Sequence, residues 1–222
     1  MKNFEAGACP DVIVTAGGTR ENIDDVRYIG NFSSGRLGHA LATEYANSGL
    51  SVLLLAPNLV PERFGLPYGV QHEPFTSAES LRTALLAQSG ARLILHAAAV
   101  ADYTPVTVEG KISSDQDELD IHLTRVPKIL PLLRVHFGNE STIVGFKLLS
   151  GVSEESLVET ATKQIATNQT DFCVANDLQE LGRSRRLHIV EPDGNYTTLE
   201  GDTQTVAEKL ALAVAAKEVH RV

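Results

Sequence analysis

Three uninterrupted apolar runs limit what this chain can fold into. They are Val12-Ile13-Val14, Ser51 to Ala56 (SVLLLA) and Leu93 to Val100 (LILHAAAV). A strand with one wet face alternates apolar and polar residues, whereas a strand covered on both faces reads as a continuous run, and double burial is the habit of parallel sheets. Helical stripes lie between the runs. Leu37, Ala40, Leu41 and Tyr45 fall on one helix face that ends at Gly49. Ser77 reads as the N-cap of a helix from Ala78 to Gln88, with Leu81, Leu85 and Leu86 inward and Gly90 as the stop. Val70 to Phe75 is a weaker strand. Alternating strand and helix predicts a doubly wound, mostly parallel, Rossmann-like α/β sheet.

The second half predicts additions to that sheet. Thr104 to Asp117 has no periodicity and reads as a mobile loop. Leu119, Ile121 and Leu123 alternate with polar residues, as in a half-exposed antiparallel strand that could offer an edge for pairing. Pro127 opens a helix (KILPLLRVHF), with Pro131 tolerated in its first turn. Thr142 to Leu148 and Asp171 to Ala175 are further strands, separated by a helix that Ser153 caps and Glu154 and Glu155 favour. Leu187 to Val190 and Tyr196 to Leu199 flank Pro192-Asp193-Gly194-Asn195, a hairpin signature, and Thr203 to Val219 is a closing amphipathic helix. With no repeat or linker, residues 1–222 read as one domain with antiparallel strands near its C-terminus.

Composition excludes several classes. A formal charge of −9 argues against a general nucleic-acid binder, which needs a basic face. No apolar run approaches the roughly 20 residues that span a membrane, and the N-terminus lacks the apolar core of a signal peptide, so the expected location is cytoplasmic. Cys9 and Cys173 suit neither a disulfide scaffold nor a cysteine metal site.

The connection from the first strand to the first helix is the functional clue. Such loops usually take about 2–6 residues, and this one is roughly three times longer. Ile23, Val26, Tyr28 and Ile29, spread through it, argue against disorder. Backbone amides at Gly17-Gly18 and at a helix start near Asn31-Phe32-Ser33-Ser34-Gly35 could face one anion, which suggests a phosphate-handling site. Other unusual residues also gather at strand ends, where open parallel sheets bind ligands: Ala99 to Tyr103, Gly145-Phe146-Lys147 and Asn176-Asp177. Each has an everyday reading. The glycine pair could be only a tight turn, and Asn31 a helix cap rather than a donor to a reacting carbonyl oxygen. Asp102 could be a cap, a magnesium ligand or the partner of a ligand hydroxyl. Lys111 and Lys163 could be solvated surface lysines, and Phe146 and His96 core residues.

Several of these motifs together resemble phosphopantothenoylcysteine synthetase, the ligase of coenzyme A synthesis, in a stand-alone form without a fused decarboxylase. The matching words are TAGGTRENIDDVR from Thr15, NFSSGRLG from Asn31, AAVADY from Ala98, Lys111-Ile112, Pro127 to Leu130, Gly145-Phe146-Lys147 and ANDL from Ala175. The resemblance implies that 4′-phosphopantothenate is joined to L-cysteine in two steps. Its carboxylate attacks the α-phosphate of a nucleoside triphosphate, CTP in bacteria or ATP in eukaryotes, and the cysteine amine then displaces the nucleotide. It further implies Mg2+, a homodimer, Asn31 acting on the acyl-cytidylate and Lys111 on a flap. His96, Ala97, Ala98, Asp102, Pro127, Lys128, Ile129, Leu130, Phe146 and Lys163 are implied to line the nucleotide pocket. Ser113 and Thr167 stand where the fused bacterial enzymes typically carry lysine. A short-chain NAD(P)-dependent oxidoreductase fits less well: the first turn lacks GxGxxG, the second strand ends Leu55-Ala56-Pro57 without an acid for a ribose, and no Tyr-x-x-x-Lys occurs. A nucleotide-binding module without turnover is the other rival, and Asn31, Asp102 and Lys111 together argue against it.

Overall fold

The computed structural model describes residues 9–115, 117–182 and 184–219. Strand β1 (Val12–Thr15) leads into a small antiparallel hairpin, β2 (Arg20–Asn22) and β3 (Tyr28–Gly30), before helix α1 (Arg36–Asn47). Then come β4 (Val52–Leu55), the short helix α2 (Leu59–Phe64), β5 (Val70–Glu73), α3 (Ala78–Leu86) and β6 (Leu93–His96). A second small hairpin follows, β7 (Tyr103–Pro105) with β8 (Leu123–Arg125). The chain continues through α4 (Leu130–Phe137), β9 (Thr142–Leu149), α5 (Glu154–Asn168), β10 (Phe172–Asp177), β11 (Arg185–Val190), β12 (Tyr196–Gly201) and α6 (Thr203–Val219). Among the described residues no helix is long and apolar enough to cross a membrane.

Eight strands form one sheet in the order β12-β11-β10-β9-β6-β1-β4-β5. The six from β10 to β5 are parallel, and β11 and β12 add antiparallel, as the hairpin signature predicts. Alternation along each strand explains the continuous apolar runs. Val12, Val14, Leu54, Leu95, Val144 and Val174 pack beneath α1 and α6. Ile13, Leu55, Ile94 and Ile143 face Leu81, Leu85 and Leu133 of α3 and α4, while Cys173 and Ala175 face Leu157 and Ala161 of α5.

Local departures have physical causes. The run from Leu93 leaves the sheet after His96, because Thr15 Oγ1 takes the Ala98 amide (2.9 Å) and Ala99 exchanges bonds with Gly17 and Thr19. The helix expected at Pro127 begins at Leu130. Leu119 and Ile121 lie outside any strand and are exposed; pairing is confined to β8. Asp171 precedes its strand and instead accepts from Arg134 (2.7 Å) and from the Ile143 amide. Helix α2, with Pro61 inside it, has no counterpart in the sequence reading.

The long β1–α1 connection is ordered by one carboxylate. Asp24 is buried and accepts from the Val26, Arg27 and Ile112 amides and from the Arg27 guanidinium (Nε, 2.9 Å). The guanidinium beside it holds the carboxyl well below the usual range. Of the apolar residues expected to order this connection, Ile23 is buried, Ile29 is half-buried, and Val26 and Tyr28 are exposed. The loop read as mobile is fastened to the same hairpin. Arg27 donates to the Ile112 carbonyl, the Val108 amide to Ile23, and the Gly110 amide to Asp25.

Candidate active site

A cavity of about 980 Å³ opens beyond the carboxyl ends of β6, β9 and β10, bounded above by the β3–α1 turn. Its floor is the segment after β6. His96 is buried, with Nδ1 3.1 Å from Thr15 Oγ1. Burial pushes the imidazole down to about 4, so it is neutral at physiological pH. His96 is thus buried as a core histidine and is also part of the cavity wall.

Ala97, Ala98 and Asp102 continue that wall. Asp102 caps no helix; it is exposed and ion-paired with Lys128, which is also exposed. Pro127, Lys128, Ile129 and Leu130 supply the side beneath α4, and Phe146 faces the cavity from β9. Gln164 donates to the Phe146 carbonyl (3.4 Å), tying that strand end to α5. Lys163 is on the wall too, though it is exposed and bonded to Glu159 one turn back (2.7 Å).

The roof comes from Asn31, Ser33, Ser34 and Gly35. Asn31 is not the helix cap. That position is Gly35, in left-handed conformation at φ 72° and without a side-chain cap bond. The Asn31 side chain instead donates to the Val100 carbonyl at 3.2 Å, spanning from roof to floor. Gly17 and Gly18 do not reach the wall. A Cβ at Gly35 would lie 3.1 Å from Gly17 N and 2.6 Å from Val60 Cγ2, and one at Gly18 would lie 2.8 Å from the Asn31 carbonyl oxygen. The glycine pair thus lets the β1 end pass directly under the helix start.

Lys111 is exposed and also stands away from the wall, on the loop pinned by Asp24 and Arg27. Sequence reading missed Arg36 and Arg185, which do line the cavity. Cys173 is buried beside Gln164, and burial pushes its thiol up to about 12; Cys9 is exposed next to Ser89. Among the described residues no three acids, histidines or cysteines gather as a metal cluster.

Residues 8–217 match the family described as the DNA/pantothenate metabolism flavoprotein C-terminal domain. The chain belongs to this family. Its likeness to the solved DNA/pantothenate metabolism flavoprotein from Streptococcus pneumoniae covers 94% of this chain and 100% of that one, with TM-score 0.84 at 27% identity. The coenzyme A biosynthesis bifunctional protein CoaBC of Methanocaldococcus jannaschii is 35% identical over 171 residues, covering 76% of this chain and 41% of that protein. Its namesake from Vibrio parahaemolyticus is 31% identical over 217 residues, covering 93% and 49%. The chain spans about half the length of these curated relatives. Family membership agrees with the motifs from Thr15 to Leu178, and the S. pneumoniae likeness with the predicted sheet.

Proposed function

We propose that this chain is a phosphopantothenate–cysteine ligase that uses CTP. The observation carrying this reading is that Asn31, Asp102, Lys163 and the β6 and β9 strand ends bound one cavity. It is large enough for a nucleotide and an acyl chain side by side, since ligand pockets usually run about 300–1,000 Å³. The relatives named for coenzyme A biosynthesis support the substrate class.

In this reading the substrate carboxylate attacks the α-phosphate of CTP and releases pyrophosphate. The cysteine amine then attacks the acyl carbon, and CMP departs with the bond to the carbonyl lost. The neutral wall of His96, Ala97 and Ala98 takes the base and sugar, while Lys163 and Lys147 draw the phosphates. Asn31 keeps one amide N–H on Val100 and offers the other to the carbonyl oxygen as negative charge grows there. Lys111 stands between two pinned neighbours, Gly110 and Ile112, so its loop reaches the triphosphate only on releasing the Asp24–Arg27 anchor, and such closure excludes water. Asp102 fits a magnesium ion held by one carboxylate and by substrate phosphates, the usual arrangement for this ion, once the exposed Lys128 swings aside. Magnesium would neutralise the triphosphate and polarise the α-phosphate. The exposed apolar side chains Val106, Val108, Leu119 and Ile121 support a homodimer closed across the loop.

Pyrophosphate release with each of four nucleoside triphosphates, with and without phosphopantothenate and cysteine, tests the reading. We expect release to require phosphopantothenate, to be fastest with CTP and to stop in EDTA. Release that ignores phosphopantothenate would overturn the ligase assignment; faster release with ATP would overturn the CTP preference alone.

A further inference from the structure

Two arginines line the cavity near enough for their charges to interact, and the ligase reading has not used them. Arg36 is the first residue of α1 and Arg185 the first of β11. Strand alternation places them on the same face of the sheet. Leu187 and Ile189 pack under α1 and α6, so Arg185, two residues earlier, points to that side. Phe146 belongs to this face as well. Gly145 faces Gln164 of α5, so Lys147 points to the opposite face, where Lys163 also lies. The cavity therefore has two cationic stations divided by the sheet's edge.

The arginine station is held open for a ligand. Arg185 donates through Nε to Thr203 Oγ1 at 2.9 Å, which aims the guanidinium and leaves both terminal nitrogens free of described partners. Arg36 rests over the Phe64 ring, 5.4 Å from its centroid. Neither has a carboxylate partner among the described residues, in a protein whose formal charge is −9. Burial, and then the Arg36 charge, lower the affinity of Arg185 for its own proton. Arg36 opens α1 and Thr203, the Arg185 partner, opens α6, so the positive end of each helix adds to the charge beside its own arginine. Like charges gathered in a partly buried corner cost stability unless an anion joins them.

We infer that Arg36 and Arg185 form a guanidinium clamp for a terminal phosphate group of a phosphorylated substrate, separate from the Lys147–Lys163 station. Two planar guanidiniums suit phosphate, because each can give paired N–H donors to adjacent oxygens. Resting on the ligase reading, the clamp has two possible sources of that group: the triphosphate tail of CTP, or the phosphomonoester of phosphopantothenate.

Isothermal titration of the full chain with CTP, CMP, phosphopantothenate and pyrophosphate tests this on Arg36→Gln and Arg185→Gln. Loss of a charge-assisted pair of bonds should weaken the clamped ligand by about 10- to 100-fold and leave CMP within about twofold. Weaker CTP and pyrophosphate binding assigns the clamp to the triphosphate tail; weaker phosphopantothenate binding assigns it to the phosphomonoester. Wild-type affinity for all ligands in both variants overturns the clamp. If Arg185→Gln does not fold, Arg36→Gln, on the exposed first turn, decides alone. If the wild type binds pyrophosphate but neither substrate, the ligase reading fails while the clamp is judged on pyrophosphate. A wild type that binds none of the four overturns it.

Discussion

The Asn31 amide donates to the Val100 carbonyl at 3.2 Å, joining two segments that lie 69 residues apart in the chain. This bond sets where the second N–H of that amide can point. Asn31→Asp would place a carboxylate against the Val100 oxygen and remove the donor. We expect the variant to release pyrophosphate in a single turnover, yet to form product about 10²–10³ more slowly, as typical for loss of one oxyanion donor. Mass spectrometry should then find the acyl-cytidylate on the enzyme. Equal slowing of both half-reactions would make Asn31 a purely structural tie between roof and floor.

Lys111→Gln should slow pyrophosphate release while leaving the melting temperature unchanged. The side chain is exposed, and its loop is anchored by Asp24 and Arg27 rather than by the lysine. Wild-type release in this variant would return Lys111 to the solvated surface.

His96 ties stability to pH. Its folded-state value of about 4 lies below the ordinary 6.5. Between these values the unfolded chain takes up a proton that the folded chain refuses, so stability falls as pH drops from about 6.5 to about 4. The loss attributable to this residue approaches about 3 kcal/mol at the acid end. His96→Gln should therefore shed that part of the acid sensitivity, read as a smaller change in denaturation midpoint between pH 7 and 4.5. An imidazole NMR signal that titrates near 6.5 would contradict the assignment.

Gly35→Ala strains the roof of the site. The residue is left-handed, at φ 72°, where a side chain costs about 1–2 kcal/mol, and its Cβ would meet Val60 at 2.6 Å. The prediction is a lower melting temperature and a raised KM for the nucleotide. An alanine variant with wild-type KM would separate the Gly35–Gly17 contact from substrate binding.

Much of the parallel sheet was legible because double burial writes itself as unbroken apolar runs, and the Ser77 and Ser153 caps are local bonds between near neighbours. Strand ends were legible for the same reason, and they located the cavity. What stayed hidden depends on distant partners. The run after Leu93 is as apolar as a strand, yet Thr15 takes the Ala98 amide out of the ladder. The loop around Lys111 looks unstructured because its fastening is Asp24, 88 positions before Ile112. Arg185 carried no signal of its own, since only the antiparallel register of β11 decides which face it takes.

On the proposed ligase reading, the burial of Cys173 bears on the handling of a thiol substrate. A ligase that takes free cysteine and releases a thiol-bearing product exposes itself to disulfide exchange, which requires a thiolate. With its proton held to about pH 12, Cys173 has no thiolate to offer at neutral pH, although it lies under the same sheet edge as the cavity. Cys9, the exposed thiol, precedes β1 and sits by Ser89, at the end of the sheet opposite the strand ends that form the site. On the proposed ligase reading, neither cysteine places a reactive thiolate where a thiol substrate would sit.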